Sequence, residues 1–436
     1  MSGVHHSVTL QTDLCKGCTH CIKRCPTEAI RVRNGKAIIK SERCIDCGEC
    51  IRVCPYQAKR ALHDKLSKYK DYKYKIALPA PALYGQFDHL DDIDYIVSGL
   101  YKCGFDKVYE VACAAEYVSE LTRQYMKTNT IKRPIISSAC PAIVRLISVR
   151  FPSLLENVLP IMPPVELAAR MAKKEALHQH PELCEEDICV LFISPCPAKV
   201  SYAKNPIGTE KSAIDGVLAI NEIYFMLVSE MTKMDNPTTS SQSGIIGISW
   251  AGSGGESSAL MNDHYLAADG IENVIHVLDE IEKENFRELE FVELNACPGG
   301  CVGGALTVEN AYIAKARLQS LRRYLPVSLN HIDLQGTIPE GVVWDADVNY
   351  SPVLRLHADR MEAMRKMAQM QKIHETLCDL DCGSCGAPTC QALAEDIVNG
   401  EATADDCIIN LRHKLNKMLG IDDDVRLGER DDITNQ

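Results

Sequence analysis

The sequence predicts an α/β protein whose sheets are flanked by helices, preceded by a small α+β segment and followed by a small helical segment. Three observations support this fold class. Two similar cysteine runs begin at Cys15 and Cys44. Farther along, several predicted strands end at a cysteine, and a strongly helical stretch precedes a last group of cysteines. We therefore expect domains at residues 1–62, 75–360 and 361–436.

The composition is that of a folded chain with an unusual number of cysteines. Hydrophobic residues make up 46% and charged residues 24%, which is ordinary for a globular protein. The net charge is -12 and no Lys/Arg-rich run stands out, so we expect no nucleic-acid partner. The start of the chain lacks an apolar signal region and no run approaches the roughly 20 apolar residues of a membrane span. We expect a cytoplasmic protein, in which 21 cysteines indicate metal binding or catalysis.

The two N-terminal runs share one spacing. They read CKGCTHCIKRCP and CIDCGECIRVCP, and both are C-x2-C-x2-C-x3-C-P. This is the pattern of bacterial ferredoxins with two 4Fe–4S clusters, in which the fourth cysteine of each run crosses to the other cluster. Zinc is the alternative, but zinc modules rarely use three cysteines in C-x2-C-x2-C. The predicted ligands are Cys15, Cys18, Cys21 and Cys54 for one cluster, and Cys44, Cys47, Cys50 and Cys25 for the other.

Three predicted strands of the middle region each deliver cysteine just past their carboxyl ends. RPIISS runs into Cys140, DICVLFIS runs into Cys196, and RELEFVELN runs into Cys297 and Cys301. In α/β sheets this edge is where ligand sites form, because loops from several strands converge there. One such cysteine alone would be a small core residue. Four thiolates from three distant segments instead suit a 4Fe–4S cubane, with the amides of the following turns available to hydrogen-bond sulfur.

These residues resemble the signatures of the iron–iron (FeFe) hydrogenases. SSACP at 137–141, SPCPAK at 194–199 and NACPGGCVGG at 295–304 match that family in order and spacing. The resemblance covers roughly residues 75–360, and a ferredoxin segment is the family's usual electron-input module. It implies an H-cluster between two lobes, in which a cubane is joined to a two-iron unit with carbonyl, cyanide and dithiolate ligands. The implied ligands are Cys140, Cys196, Cys297 and Cys301, with Cys301 as the bridge.

The same resemblance implies roles for residues around that cofactor. Lys199 matches a lysine that contacts a cyanide ligand, although a lysine three residues after a cysteine is most often a solvated surface residue. The stretch WAGSGGESSAL resembles the family's Gly-Gly loop at Gly254, and it lacks the full spacing of a nucleotide loop. Pro195, inside the second signature, is also expected at the cofactor.

The sequence departs from the family at several of these positions. Ala139 stands where efficient members have a cysteine that passes protons to the two-iron unit. Ser194 and Asn295 replace methionines, and Tyr202 replaces a glutamate. General acid–base help contributes about 10²–10⁴-fold, so the missing relay predicts slow turnover with the cofactor retained. The polar replacements are expected to alter its redox poise, and similar replacements occur in hydrogenases regarded as H2 sensors.

The last segment combines a helix with a further cysteine group. MEAMRKMAQMQKIHETL predicts a helix whose recurring methionines pack in a core or an interface. The stretch that follows resembles a small iron–sulfur domain of anaerobic redox proteins, with spacing C-x2-C-x4-C-x16-C. The resemblance implies one further 4Fe–4S cluster, with zinc as the alternative. Its implied ligands are Cys382, Cys385, Cys390 and Cys407, and Cys378 competes for the fourth position by proximity.

Three hypotheses of function follow. The first is a hydrogenase of low turnover that exchanges H2 with two protons and two electrons, with Cys301, Lys199 and Ala139 at its catalytic site. The second is a module of the same fold that senses H2 and signals to a partner protein. The third is a non-catalytic electron-transfer or scaffold protein without the two-iron unit, against which the retention of Lys199 and Cys301 argues. The partners implied are H2, protons and a ferredoxin-like or other redox partner.

Overall fold

The structure, a computed structural model, describes residues 6–128, 131–332, 338–339, 341–350 and 356–420. The chain divides into two compact units, each assembled from three stretches. The first unit comprises Met1–Thr9, Ser41–Arg52 and Lys59–Pro352. The second unit comprises Leu10–Lys40, Val53–Ala58 and Val353–Gln436. The bounds that the sequence predicts for three domains remain predictions.

Two parallel sheets organise the first unit. The four-stranded sheet has the order Lys107–Val108, Tyr74–Pro79, Ile188–Ser194 and Gly216–Ala219. The three-stranded sheet has the order Tyr265–Asp269, Phe291–Asn295 and Ile135–Ile136. All the pairings within these two sheets are parallel. A further two-stranded sheet joins Val8–Leu10 and Lys59–Ala61. The parallel sheets confirm the predicted α/β fold class.

Helices cover these sheets, as the apolar strands require, because parallel strands are buried on both faces. Strand Ile188–Ser194 is buried at every position. The α-helices of the first unit are Glu49–Arg52, Asp94–Lys102, Val111–Thr128, Pro141–Arg150, Pro164–Gln179, Pro197–Lys204, Ile220–Met231, Ile245–Ser249, Gly255–Ala259, Ile271–Glu282 and Ala311–Leu321. Its short 3-10 helices are Ser41–Arg43, Leu66–Tyr69, Pro81–Gln86, Pro152–Asn157, Glu185–Asp187, Cys301–Gly303 and Arg322–Tyr324.

Strand ends and helix starts meet at the predicted cysteines. Helix Pro141–Arg150 begins directly after Cys140, and helix Pro197–Lys204 begins directly after Cys196. Proline suits the first helical position because its missing N–H would have no partner inside the helix there. The Cys-Pro pairs therefore stop a strand and start a helix, which holds each cysteine at the turn between them.

The second unit contains an antiparallel hairpin, Ile30–Arg33 with Lys36–Ile39, and a group of helices. The helices are His20–Lys23, Arg360–His374, Cys390–Val398 and Ile408–Met418, with a 3-10 helix at Ala404–Asp406. Helix Arg360–His374 confirms the predicted methionine-rich helix. Of its methionines, Met370 packs at 4% exposure whereas Met361 is 75% exposed. Met370 therefore packs as expected, whereas Met361, Met364 and Met367 are exposed.

Most predicted elements are present with shorter bounds. LDDIDYIVSGLYKCG predicts a helix that stops at Gly104, and the helix ends at Lys102. KVYEVA predicts a strand, but only Lys107–Val108 pairs with the sheet, because helix Val111–Thr128 begins three residues later. Within the part of the chain that the structure describes, no helix has the length and apolar character needed to span a membrane.

Candidate functional site

Backbone amides reach sulfur atoms of the N-terminal runs in a repeated arrangement. Ala29 donates its N–H to Cys25 Sγ at 3.2 Å, and Ala58 donates its N–H to Cys54 Sγ at 3.3 Å. In both cases the donor lies four residues after the last cysteine of its run. Amides directed at sulfur stabilise thiolate charge and tune iron–sulfur clusters. The repeated sequence therefore produces a repeated local environment for its last cysteine.

The four cysteines at the strand ends of the first unit converge on one lysine. Burial by itself lowers the pKa of Lys199, but the negative charges of Cys301, Cys196, Cys140 and Cys297 outweigh it, so the pKa is raised above its ordinary value. Cys140, Cys301 and Lys199 line one cavity, and each of the four thiols acts on the Lys199 ammonium group when it is ionised, so all four lie near that group. The structure therefore brings together the four cysteines that the sequence placed in three distant segments.

Burial also controls the protonation of these cysteines. It raises the pKa of the Cys196, Cys297 and Cys301 thiols to about 11, against the opposing charges of Lys199 and Arg52. Without metal, these thiols therefore keep their protons at neutral pH, and metal binding must release them. Cys140, Cys196, Cys297 and Cys301 form no disulfide. A set of unpaired thiols faced by two cations fits an anionic iron–sulfur cluster.

Glycines allow the last two cysteines to approach the other loops closely. A Cβ atom on Gly300 would lie 2.4 Å from the backbone nitrogen of Ser253, and one on Gly304 would lie 2.1 Å from the carbonyl oxygen of Pro195. Neither distance is possible for a side chain. The CPGGCVGG sequence therefore packs its backbone directly against two neighbouring loops, which fixes where Cys301 lies.

A cavity of about 60 Å³ adjoins these cysteines. Its walls come from both parallel sheets and include the predicted residues Ala139, Cys140, Pro195, Lys199, Asn295 and Cys301. Other walls are formed by small or apolar side chains such as Ala80, Ala115 and Ala251. A water molecule needs about 10–15 Å³ on the same measure, so the cavity holds a group larger than one water. Cys301 lies at the wall of this free space.

Lys199 and Ala139 are in direct contact at this cavity. Lys199 Nζ donates a hydrogen bond to the backbone carbonyl of Ala139 at 3.3 Å. The lysine side chain is only partly exposed, and it lines the cavity. The alternative of a solvated surface lysine does not hold, since its ammonium group faces the cavity and the cysteines.

Two buried carboxyl groups, which the sequence analysis did not single out, also line the cavity. Glu256 is 5% exposed and Glu293 is 3% exposed. Ser137 donates its hydroxyl to Glu256 at 2.6 Å, and the Ala139 N–H donates to the Ser137 hydroxyl at 3.1 Å. Burial, and next the charge of Glu293, raise the pKa of Glu256 to about 8. Burial also raises the pKa of Glu293.

The remaining predicted residues support this carboxyl pair or the cysteine turns. Asn295 donates its side-chain amide to Glu293 at 2.9 Å, and Gly254 donates its N–H to the same carboxylate at 3.0 Å. The Ser194 hydroxyl donates to the Cys196 carbonyl at 3.0 Å and accepts from the Cys196 N–H at 3.2 Å. Ser194 therefore braces the turn that carries a cysteine, and Asn295 and Gly254 hold a carboxylate.

In the second unit, four of the five C-terminal cysteines pack in one apolar cluster. Cys390 and Cys407 are buried in it, with Cys378 and Cys385 packed against them, whereas Cys382 is exposed. The Cys378 side chain hydrogen-bonds to Cys390, and the charge of Cys407 acts on Cys385. Both candidates for the fourth ligand are thus near other predicted ligands.

Comparison with known protein families places this chain. The model of the iron only hydrogenase large subunit, C-terminal domain, matches residues 73–265 and 256–305, so the chain belongs to that family. A 4Fe-4S dicluster domain matches residues 7–55, and an Fe-S cluster family matches residues 379–409. The three cysteine-rich regions found in the sequence therefore each lie within a match to a family of iron proteins.

Solved structures of [FeFe]-hydrogenases also resemble this chain. One, described as HydA(deltaEFG) in a study of stepwise H-cluster assembly, is 17% identical, with a TM-score of 0.45, over 60% of this chain and 89% of that chain. A variant of HydA1 from Chlamydomonas reinhardtii is 16% identical, with a TM-score of 0.44, over 58% of this chain and 84% of that chain. The assignment to the family rests on the sequence match.

Proposed function

We propose that this protein is an FeFe hydrogenase that exchanges H2 with two protons and two electrons at an H-cluster. The observation that supports this best is the convergence of four thiols on Lys199 at the wall of a cavity. The thiols come from three strand ends in two sheets, so the arrangement depends on the whole fold of the first unit. An electron-transfer or scaffold protein without the two-iron unit would have no need of a cation and a cavity beside these cysteines.

In this proposal the cubane is held by Cys140, Cys196, Cys297 and Cys301. Cys301 lines the cavity and is therefore placed to be the bridge to the two-iron unit. When bound, the H-cluster supplies the iron site at which H2 is bound and split. Lys199 supplies a fixed positive charge beside the anionic ligands of that unit, and its hydrogen bond to the Ala139 carbonyl holds it in place.

Protons at this site are held by the buried carboxyl groups. Glu256 has a raised pKa, so its carboxyl group gains and loses protons near neutral pH, as a general acid or base requires. Ser137 links it by hydrogen bonds to the backbone beside the cavity. We propose that Glu256, with Glu293 as its neighbour, replaces the proton-passing cysteine that is absent at Ala139.

A sensory role is the second proposal, and the side chain of Ala139 favours it. This residue lines the cavity and carries no proton to transfer. Any relay must pass through other groups such as Glu256 instead of a thiol at position 139, so we expect slow turnover. A sensor requires binding of H2 and a change of redox state, both of which are compatible with a low rate. In the sensory role the partner is a signalling protein. In either role a redox protein exchanges electrons with this chain.

Further 4Fe–4S clusters complete the proposal. Two belong to the N-terminal runs and one to the C-terminal cysteines, with Cys407 preferred as its fourth ligand because the Fe-S family match at 379–409 includes it and omits Cys378. The amides of Ala29 and Ala58 at sulfur support the N-terminal assignment. Iron and sulfide analysis of the reconstituted chain measures the number of clusters.

Infrared spectroscopy of the reconstituted protein tests the hydrogenase proposal. The two-iron cofactor is assembled into the protein in vitro, and spectra are recorded under N2 and under H2. We expect carbonyl and cyanide bands that shift under H2. A protein that takes up iron but shows no such bands is a scaffold, and bands that H2 leaves unchanged contradict both catalysis and sensing. A turnover rate like that of bulk H2 producers would contradict the sensory role alone.

A further inference from the structure

In the second unit, the C-terminal cysteine segment lies directly on the N-terminal hairpin. Val32 donates its N–H to the Gly386 carbonyl at 2.7 Å, and Arg33 donates to the Cys385 carbonyl at 3.0 Å. A Cβ atom on Gly386 would lie 2.0 Å from the Val32 carbonyl oxygen. Only glycine permits this approach, so the backbone between two predicted cluster ligands is held against a β-strand.

The same strand leads on to a cysteine of the first N-terminal run. Val32 pairs with Ala37 across the hairpin, and Ala37 donates its N–H to Cys15 Sγ at 3.4 Å. Cys385 is covalently adjacent to Gly386. Two hydrogen bonds and one strand pair therefore connect a predicted ligand of the C-terminal cluster, Cys385, with a predicted ligand of the first-run cluster, Cys15.

A buried carboxylate fixes this contact. Asp396 is fully buried in helix Cys390–Val398, and it accepts hydrogen bonds from Arg31 at 2.7 Å, from Lys40 at 3.1 Å and from Arg33. All three cations belong to the hairpin or the residue after it, whereas the carboxylate belongs to the helix that begins at Cys390. A buried carboxylate with three cationic partners is a specific docking contact, because any shift of the helix would leave these charges unpaired.

A second contact involves the first cysteine run itself. Lys23, between the third and fourth cysteines of that run, donates to the Pro388 carbonyl at 3.0 Å. Thr389, the residue that caps helix Cys390–Val398, donates its hydroxyl to Glu28 at 3.2 Å. The segment between Cys385 and Cys390 is thus held at both the hairpin and the first run.

We infer that the C-terminal cysteine segment is an electron port docked onto the first-run cluster, and that it exchanges electrons with that cluster through the Val32–Gly386 contact. This inference rests on the proposed function, since it assumes that both cysteine sets hold 4Fe–4S clusters. Each step moves one electron from a reduced cluster to an oxidised one, and no bond or proton changes. A low-potential one-electron donor, such as a reduced viologen, supplies the electron, and exposed Cys382 marks the side at which it arrives.

The test uses electron paramagnetic resonance of the full chain with all its clusters loaded. In the fully reduced protein we expect spectra of the first-run cluster broadened by both the second-run cluster and the C-terminal cluster. Cys382→Ser removes the C-terminal cluster, and we expect the broadening due to that cluster to disappear while the interaction with the second-run cluster remains. An unchanged first-run spectrum, with iron content lower by one cluster, overturns the inference.

Asp396→Asn tests the docking contact separately, with Glu362→Gln as a control that removes a carboxylate from an exposed ion pair of the same segment. We expect faster hydrogen exchange in Ile30–Ile39 and reduction of the first-run cluster by viologen at least about tenfold slower in Asp396→Asn alone. Loss of exchange protection without a change of that rate overturns the electron route. Infrared bands that respond to H2 are scored independently, so a failed relay and a failed hydrogenase proposal give different results.

Discussion

The guanidinium group of Arg52 donates a hydrogen bond to the sulfur of Cys297, with 3.7 Å between Nη1 and Sγ. The same group donates to the Cys47 carbonyl at 3.3 Å and pairs with Glu49 at 3.1 Å. One cation therefore contacts both the second cysteine run and a proposed ligand of the cubane. The sequence offers no sign of this contact, because 245 positions separate the two residues.

Replacing Arg52 with Gln is expected to lower the reduction potential of the cubane. The cation stabilises the more negative, reduced cluster, so its removal favours the oxidised state. We expect a shift of roughly 60 mV, which is a tenfold change for a one-electron couple. Redox titration followed by electron paramagnetic resonance measures it, with Arg287→Gln as the control at an exposed ion pair. Equal potentials in the two variants would show that the contact has no electronic role.

Lys199→Met keeps an apolar stem of similar length and removes the charge that faces the four thiols. We expect the cubane to assemble as before, because its ligands are intact. Uptake of the two-iron unit should decrease by about 10–100-fold, the usual effect of losing a supporting partner at a metal site. Iron analysis measures assembly of the cubane. The intensity of the carbonyl and cyanide bands measures uptake of the two-iron unit. Full band intensity in this variant would contradict the proposed role of Lys199.

Ala139→Cys introduces a titratable thiol at the cavity wall. If the absent proton relay limits the rate, turnover in H2 production should rise by about 10²-fold or more. Ala139→Ser is the matched control, because its hydroxyl is of similar size and does not ionise in this pH range. A rate that increases equally in both variants, or in neither, would contradict the relay explanation of slow turnover.

Glu256→Gln is expected to slow proton exchange by about 10²-fold while leaving the infrared bands in place. The residue accepts its hydrogen bond from Ser137 on a carboxylate oxygen, and Gln retains an acceptor of the same shape. Turnover rates compared at constant band intensity measure the effect. A variant with the wild-type rate would exclude Glu256 as a proton carrier.

Glu256 is also expected to make the stability of the fold depend on pH. Its pKa is raised from 4.5 to about 8 in the fold, so between these values the folded state keeps a proton that the unfolded state has lost. Stability contributed by this group is therefore fully present below about pH 4.5 and is lost as pH rises towards 8, by at most about 1.4 kcal/mol per pH unit. Melting temperatures are measured across this pH range for wild type, Glu256→Gln and a control surface change, Asp88→Asn. The slope of melting temperature against pH should differ from wild type in Glu256→Gln, whereas Asp88→Asn should keep the wild-type slope.

Replacing Asp46 is expected to lower the stability of the first unit strongly. This carboxylate is 1% exposed, accepts the Ser201 hydroxyl at 2.6 Å, and lies 3.6 Å from the Arg145 guanidinium. Asp46→Ala leaves Arg145 without its buried counter-charge, which typically costs about 3–5 kcal/mol. Thermal unfolding measures this loss. Asp88→Ala, at an exposed ion pair, should change the melting temperature little, and a similar small change for Asp46→Ala would show that Arg145 finds other partners.

The cysteine turns were predictable from local sequence. The apolar runs before Cys140 and Cys196 predict strands that end near these cysteines, and strands Ile135–Ile136 and Ile188–Ser194 are present there. The helices that begin at Pro141 and Pro197 go beyond the predicted turns. The α/β class follows from the same runs. The strand ends come together because of the way the strands pair. The strand order within the two sheets depends on packing between distant segments, which no single stretch of sequence reveals.

The residues that sequence reasoning missed depend on such distant contacts. Glu293 interrupts an apolar strand at a buried position, and that placement was a usable signal. Glu256 sits in a Gly-Ser-rich stretch where a polar residue is ordinary, so nothing distinguished it. Ser194 was expected at the cofactor because of its place in the motif, whereas its hydroxyl bonds to the neighbouring backbone. The direction of a side chain at a turn depends on the local backbone geometry, which the spacing of residues in a motif does not reveal.

The distribution of the four thiols also has a consequence for biosynthesis. Cys140 leaves the ribosome long before Cys301, so the pocket is not complete until more than two-thirds of the 436 residues have been made and both sheets have formed. Because burial raises the pKa of the Cys196, Cys297 and Cys301 thiols, these thiols are poor nucleophiles and resist oxidation before metal binds. The apoprotein is thus suited to receive its cofactor as a finished fold.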